Sequence, residues 1–152
     1  MHRESDDERP FDVPADRHYD GSRHLWAKRE EGSHRVRVGI DSIGLESLGV
    51  LAYVTLRPGG STVARGESLG TLEAAKMTSD IAAPVSGTIA SRNDAVLRDP
   101  ALVREDPYGA GWLVEIEPSD WEAEARELVS GAAIPAWAAA EIGRLRAETP
   151  AD

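Results

Sequence analysis

From residue 35 to residue 117 the chain is a succession of short strand-like runs, each closed by glycine, proline or a polar turn. Residues 23–28 and 35–40 form a hairpin pattern around Glu30-Glu31-Gly32-Ser33. In the second run Val36, Val38 and Ile40 share one face and arginines take the other, the period-two signature of a half-buried strand. Residues 50–56 are the most strand-like run and stop at Arg57-Pro58-Gly59-Gly60, a strong turn signal. Short strands follow at 61–64 and 68–73, where Gly70 marks a bulge or a close backbone approach. Further strands are expected at 88–90 and at 112–117, with Trp112, Val114 and Ile116 on one face. Asp41 or Ser42 caps a short helix through Leu48, ended by Gly49. Asn93-Asp94 opens a polar segment, and Pro100 starts another short helix. After Pro118 the pattern changes: Ser119 and Glu122 make a capping box for a helix to about Val129, and 135–146 form a second helix. Many short strands and then helices predict a mainly β small barrel or sandwich with a C-terminal helical segment.

Within this pattern one stretch carries chemistry. Glu73-Ala74-Ala75-Lys76-Met77-Thr78-Ser79-Asp80 lies between two strand-like runs, so Lys76 is expected at the tip of a hairpin. Alanines at 74 and 75 do not crowd a tight turn. An exposed amine is protonated at neutral pH, and so is a poor nucleophile but open to another enzyme. That favours a lysine that is modified over one that catalyses, with an ordinary surface lysine as the bland reading. A strand, a glycine turn and a strand lead into Lys76, and a similar set leads out, as in a folded-over β module.

The length of 152 residues suggests one domain. Residues 1–16 read as a disordered acidic tail and 17–148 as the folded domain with its C-terminal helices. Lys and Arg number 17 against 27 Asp and Glu, a net charge of -10, which repels phosphate backbones and argues against nucleic acid. It suits docking on basic patches of larger proteins. With no cysteine, disulfides and thiolate metal sites are excluded, and redox chemistry must use a group the chain does not encode. No apolar run approaches a membrane span and the start lacks a signal-peptide core, so a cytoplasmic protein without membrane contact is expected. His2, His18, His24 and His34 have no i, i+4 pair that would suggest a helical metal site. His24 and Trp26 are expected to pack or to line a pocket, and Tyr108 to be structural.

His24-x-Trp26, Gly39, Leu48-Gly49, the lysine octapeptide, Ala83-Pro84-Val85-Ser86-Gly87, Arg104 through Leu113 and Pro118-Ser119-Asp120 occur in one order. Together they resemble the H-protein family of the glycine cleavage system, a family of lipoyl carriers, over roughly residues 18–142. The resemblance implies a flattened β barrel-sandwich hybrid with lipoate joined to Lys76 by an amide. Glu73, Ser79 and Asp80 align with the family's residues beside that lysine. It implies a monomeric, non-catalytic carrier modified by a lipoate ligase or lipoyl transferase. A glycine decarboxylase would load an aminomethyl group, a folate-dependent aminomethyltransferase would unload it, and dihydrolipoyl dehydrogenase would reoxidise the arm. Tethering makes these encounters local.

The chain also departs from the family. Leu25 stands where an acid is usual. Ile40-Asp41-Ser42-Ile43-Gly44 replaces the usual Ile-Thr-Asp, a residue such as His or Tyr, and Ala, and Val50 replaces an acid. Loss of a carboxylate removes a partner for an aminomethyl ammonium. A lipoyl carrier of another complex, such as the heterodisulfide-reductase-like sulfur oxidation system, is therefore an alternative. Glu73-Ala74-Ala75-Lys76-Met77 also resembles the biotin-carrier motif, which makes a biotin carrier a second alternative.

Overall fold

The computed structural model describes residues 11–148. Among them the alternating runs become strands β1 (His18–Asp20), β2 (Leu25–Arg29) and β3 (Val36–Ile40). Helix α1 (Ser42–Leu48) follows, then β4 (Leu51–Leu56), β5 (Thr62–Val63), β6 (Ser68–Ala74), β7 (Thr78–Ala82) and β8 (Gly87–Arg92). Helices α2 (Asp94–Arg98) and α3 (Ala101–Glu105), strand β9 (Val114–Pro118), helix α4 (Trp121–Ala125) and the long helix α5 (Ile134–Glu148) complete the order. The strands form a six-stranded sheet, β1-β2-β3-β9-β8-β5, and a three-stranded sheet, β4-β6-β7. Every pairing is antiparallel. The mainly β fold with a helical tail is as expected; the two sheets do not form one closed barrel.

The echo around Lys76 is physical. β6 before the lysine pairs with β7 after it, and β5 pairs with β8 outside them. Alternation decides what is buried: Val36 and Val38 of β3, Val54 and Leu56 of β4, and Ile89 and Ile116 of β8 and β9 point into one core. Each such side chain contributes about 1.5–3 kcal/mol on leaving water. On the opposite face of β3, Arg37 pairs with Glu115 at 2.8 Å and stacks on Trp112.

A second cluster fixes the tail. Tyr19, Trp26 and Ile134 are buried together, with Tyr108 and Trp137 packed against them. Gly39 faces Trp26 across β2–β3; a Cβ there would lie 2.5 Å from the indole ring, so the ring occupies the space glycine leaves. The Trp26 indole N–H donates to the Pro107 carbonyl at 3.0 Å. Tyr108 is structural as expected: its hydroxyl accepts from the Ser42 amide at 2.9 Å and donates to the Asp12 carbonyl at 2.6 Å. Of the stretch read as a tail, residues 1–10 lie outside the described residues. Asp12 and Pro14 do lie against the domain, since the Pro14 carbonyl accepts from the Tyr19 hydroxyl at 2.6 Å.

Several local expectations change. Asp41 caps α1, accepting from the Gly44 amide at 2.9 Å, and Gly49 ends it with φ 81°, as anticipated. The polar segment that Asn93-Asp94 opens is a helix: the Asn93 side chain caps Ala95 and also donates to the Ala110 and Trp112 carbonyls at 2.8 Å each. With the Trp112 carbonyl so engaged, β9 begins at Val114, and Trp112 joins the second cluster. The capping box at Ser119 does not form; Asp120 caps α4. That helix ends at Ala125 because Val129 is drawn into a backbone pair with Tyr19, two hydrogen bonds of 2.8 Å each. No helix among the described residues is long and apolar enough to cross a membrane.

Candidate functional site

The lysine hairpin is built from β6 and β7, with Glu73 opposite Thr78, Leu72 opposite Ser79 and Thr71 opposite Asp80. The Ala74 amide donates to the Met77 carbonyl at 2.9 Å and closes the turn, leaving Ala75 and Lys76 at its tip. The Ala75 amide donates to the Val50 carbonyl at 2.8 Å, tying the tip to the entry of β4. Lys76 is exposed. Its stem lies across Gly49: a Cβ at that glycine would stand 3.5 Å from Lys76 Cε and 3.6 Å from Cγ. Gly49 is itself held from below, because the Arg104 guanidinium donates to the Leu45 carbonyl at 2.7 Å and the Gly49 carbonyl at 3.3 Å.

The structure separates the three flanking residues singled out in the sequence. Glu73 and Asp80 lie on the outer face of the three-stranded sheet, both exposed. Ser79 has the opposite parity along β7 and lines a cleft between the hairpin and α1, which Asp80 also borders. Among the described residues no ion pair or side-chain hydrogen bond engages Lys76, Glu73 or the Asp80 carboxylate. The cleft has a volume of about 410 Å³. Leu25, Ile40, Leu48, Leu72 and Ile81 supply apolar wall, and Arg23, Ser47 and Asp80 supply polar edge. Leu25 is buried at 3% exposure.

His24 is a wall residue of the same cleft. It is the only non-glycine residue among those described with positive φ, 63°. Two carboxylates hold it: Nδ1 lies 3.2 Å from Asp41 and Nε2 lies 2.9 Å from Glu141 of α5. Arg144 pairs with the other oxygen of Glu141. Burial opposes charging of the ring, but Asp41 first and Glu141 second outweigh it, so His24 titrates above its ordinary 6.5. A folded-state pKa above the unfolded one gives stability that is complete below the unfolded value and lost as pH rises through the folded value. Urea unfolding should therefore show a less stable protein at about pH 9 than at about pH 6, on account of this group. Glu141→Gln should cost about 2 kcal/mol at the lower pH and shrink that difference. An unchanged pH slope in the variant would contradict the assignment.

Glu141 had no signal in the sequence, because its partner lies 117 positions earlier. The role of Arg104 under Gly49 was equally hidden. Among the described residues no group of three or more His, Cys, Asp or Glu side chains is placed to hold a metal ion.

The comparisons with known proteins fit this geometry. The family model for the glycine cleavage H-protein matches residues 17–140. The glycine cleavage system H protein of Mycobacterium avium is 43% identical over 109 residues, covering 72% of this chain and 81% of the relative. That of Myxococcus xanthus is 43% identical over 108 residues, covering 71% and 81%. A crystal structure of a glycine cleavage system H protein from Mycobacterium marinum superposes with a TM-score of 0.66 at 44% identity, covering 70% of this chain and 87% of that one. Nothing in these matches favours a biotin carrier or a sulfur-oxidation carrier. A match over most of the described domain, with the same fold in a solved relative, makes this chain a member of the glycine cleavage H-protein family.

Proposed function

We propose that the chain is the lipoyl carrier of glycine cleavage, with lipoate attached through an amide to Lys76. The observation that carries this reading is the placement of Lys76, exposed at the tip of a two-residue turn with its stem over Gly49. The residues fit such a group. The amine is open to a modifying enzyme, and the neighbouring cleft offers apolar wall at Leu48 and Leu72 with Asp80 and Arg23 at its edge. Attached lipoate would supply a reducible disulfide able to accept a one-carbon unit.

The chain itself presents and shelters. Gly49 leaves room for the lysine stem, Arg104 braces that glycine, and His24 holds the cleft wall between Asp41 and Glu141. Glu73 and Asp80 mark the surface that a lipoate ligase or lipoyl transferase would read. In this reading the chain is a cytoplasmic monomer that catalyses nothing. It visits a glycine decarboxylase, an aminomethyltransferase and dihydrolipoyl dehydrogenase, and tethering makes each encounter local.

The test is intact mass of protein from its own host, followed by reconstituted glycine–bicarbonate exchange. A gain of about 188 Da on Lys76 and support of exchange are expected, the gain being that of an amide-linked lipoyl group. Capture by streptavidin would indicate biotin instead. A modified protein that fails in exchange would count against glycine as the source of the cargo.

A further inference from the structure

The cleft beside Lys76 has two ends. Leu48 and Met77 line the end next to the lysine stem, and Arg23 and Ala82 line the other. A Cβ at Gly66 would lie 3.5 Å and 3.6 Å from the two terminal guanidinium nitrogens of Arg23. The Gly66 amide in turn donates to the Ala83 carbonyl at 2.8 Å. The guanidinium therefore stands where β7 ends, and the chain from Met77 to Ala82 runs between the two ends. At strand spacing that stretch advances roughly 16 Å. From the Lys76 Cα to the sulfur of an amide-linked lipoyl group is about twelve bonds, or roughly 14 Å at the rise of an extended chain. An arm laid in the cleft thus brings its sulfur end to Arg23.

Charge at that end is unequally placed. The ion-pair partner of Arg23 is Asp20, at 3.5 Å, with its side chain at 6% exposure and outside the cleft lining. The Arg23 side chain is 45% exposed and lines the cleft. The other charged groups facing the cleft are Asp80 and His24, and the His24 ring is held between Asp41 and Glu141. Acylation removes the charge of Lys76. Among the described residues Arg23 is then the cation whose charge is turned toward the far end of the cleft.

We propose that Arg23 holds a sulfur of the reduced arm as its thiolate. This rests on the carrier reading above. A neighbouring guanidinium favours the charged form of a thiol and itself stays protonated. The need for it follows from the rest of the molecule: a net charge of -10 opposes ionisation of any thiol held at this surface, and Asp80 adds to that opposition locally. The step is a proton loss. The S–H bond breaks, its electron pair stays on sulfur and the proton goes to solvent. The thiolate is the form that attacks a disulfide, so Arg23 readies the reduced arm for thiol–disulfide exchange.

The experiment uses the full chain lipoylated on Lys76, checked by intact mass, reduced with a phosphine and freed of it. Thiolate is followed by its ultraviolet absorbance as pH rises. Arg23→Gln should raise the lower thiol pKa by about half a unit. Arg23→Lys keeps the charge and should stay within about 0.2 unit of wild type. Arg98→Gln removes the same charge from α2, outside the cleft, and should also shift the thiol by less than about 0.2 unit. Because Arg23→Gln takes the ion-pair partner from buried Asp20, thermal unfolding is the control for folding. The wild type supplies a second measurement: the 13C signal of the Arg23 guanidinium carbon should titrate with the thiol in the reduced protein and stay fixed over the same range in the oxidised one. A shift in Arg23→Gln below about 0.2 unit, an equal shift in Arg98→Gln or in Arg23→Lys, or a silent Arg23 signal would each overturn this role and leave the carrier reading intact. Absence of the lipoyl mass on the wild type from its own host would overturn the carrier reading and this role with it.

Discussion

Lys76→Arg is expected to abolish the lipoyl mass gain and to reduce glycine–bicarbonate exchange to the level seen with no carrier present. The substitution keeps a positive charge and a long stem at an exposed position, so folding stability should change by less than about 0.5 kcal/mol. The guanidinium stays protonated and cannot take the acyl group. Without the amide there is no tether, and the millimolar-range effective concentration that a short flexible link supplies is lost. The measurement is intact mass alongside exchange, with thermal unfolding as the control for folding. Exchange retained by a well-folded Lys76→Arg protein would place the cargo elsewhere on the chain.

Gly70→Ala is expected to be the most damaging single methyl group among the described residues. Gly70 sits at the irregularity in β6, opposite Leu56 on one side and Ile81 on the other. An added Cβ would lie 1.9 Å from the Thr55 carbonyl oxygen, 2.8 Å from its carbon and 2.9 Å from Leu56 Cα. All three atoms are backbone, so no side-chain rotation relieves the clash. β4 must move away from β6, and those strands hold the lysine hairpin over Gly49. The cost should be at least about 3 kcal/mol, lowering the thermal midpoint by about 10 °C or more, with failure to fold as the extreme. Gly143 is the control. It lies within α5, where an added Cβ meets nothing within 4 Å, and alanine should stabilise the helix by about 0.5–1 kcal/mol. Equal melting of the two variants would mean that the close approach of β4 to Gly70 is wrong.

The amino-acid order by itself determined whatever depends on neighbours in the chain. The strands came from period-two alternation, the end of β4 from Arg57-Pro58-Gly59-Gly60, the limits of α1 from Asp41 and Gly49, and the hairpin from two strand-like runs around small residues. Each rests on φ and ψ preferences or on hydrogen bonds a few residues long, so each is written locally. Lys76 was legible for the same reason: its turn closes within four residues, from Ala74 to Met77.

Tertiary structure alone decided what depends on pairs far apart in the chain. Val129 reads as helix by its surroundings, yet backbone hydrogen bonds to Tyr19 hold it extended. Asn93 reads only as the start of a polar segment, but the Ala110 and Trp112 carbonyls converge on its side chain and make it a cap and a brace. The carboxylate of Glu141 reaches His24 only because Ile134 joins Tyr19 and Trp26 in the second cluster and docks α5 beside them. Ser79 and Asp80 both border the cleft, whose other wall comes from His24 and Leu48, far earlier in the chain. Hydrophobic periodicity specifies which face of an element is buried, but not which distant element covers it. The partner is selected when the sheets and helix close on one another, and the cleft beside Lys76 exists only after that closure.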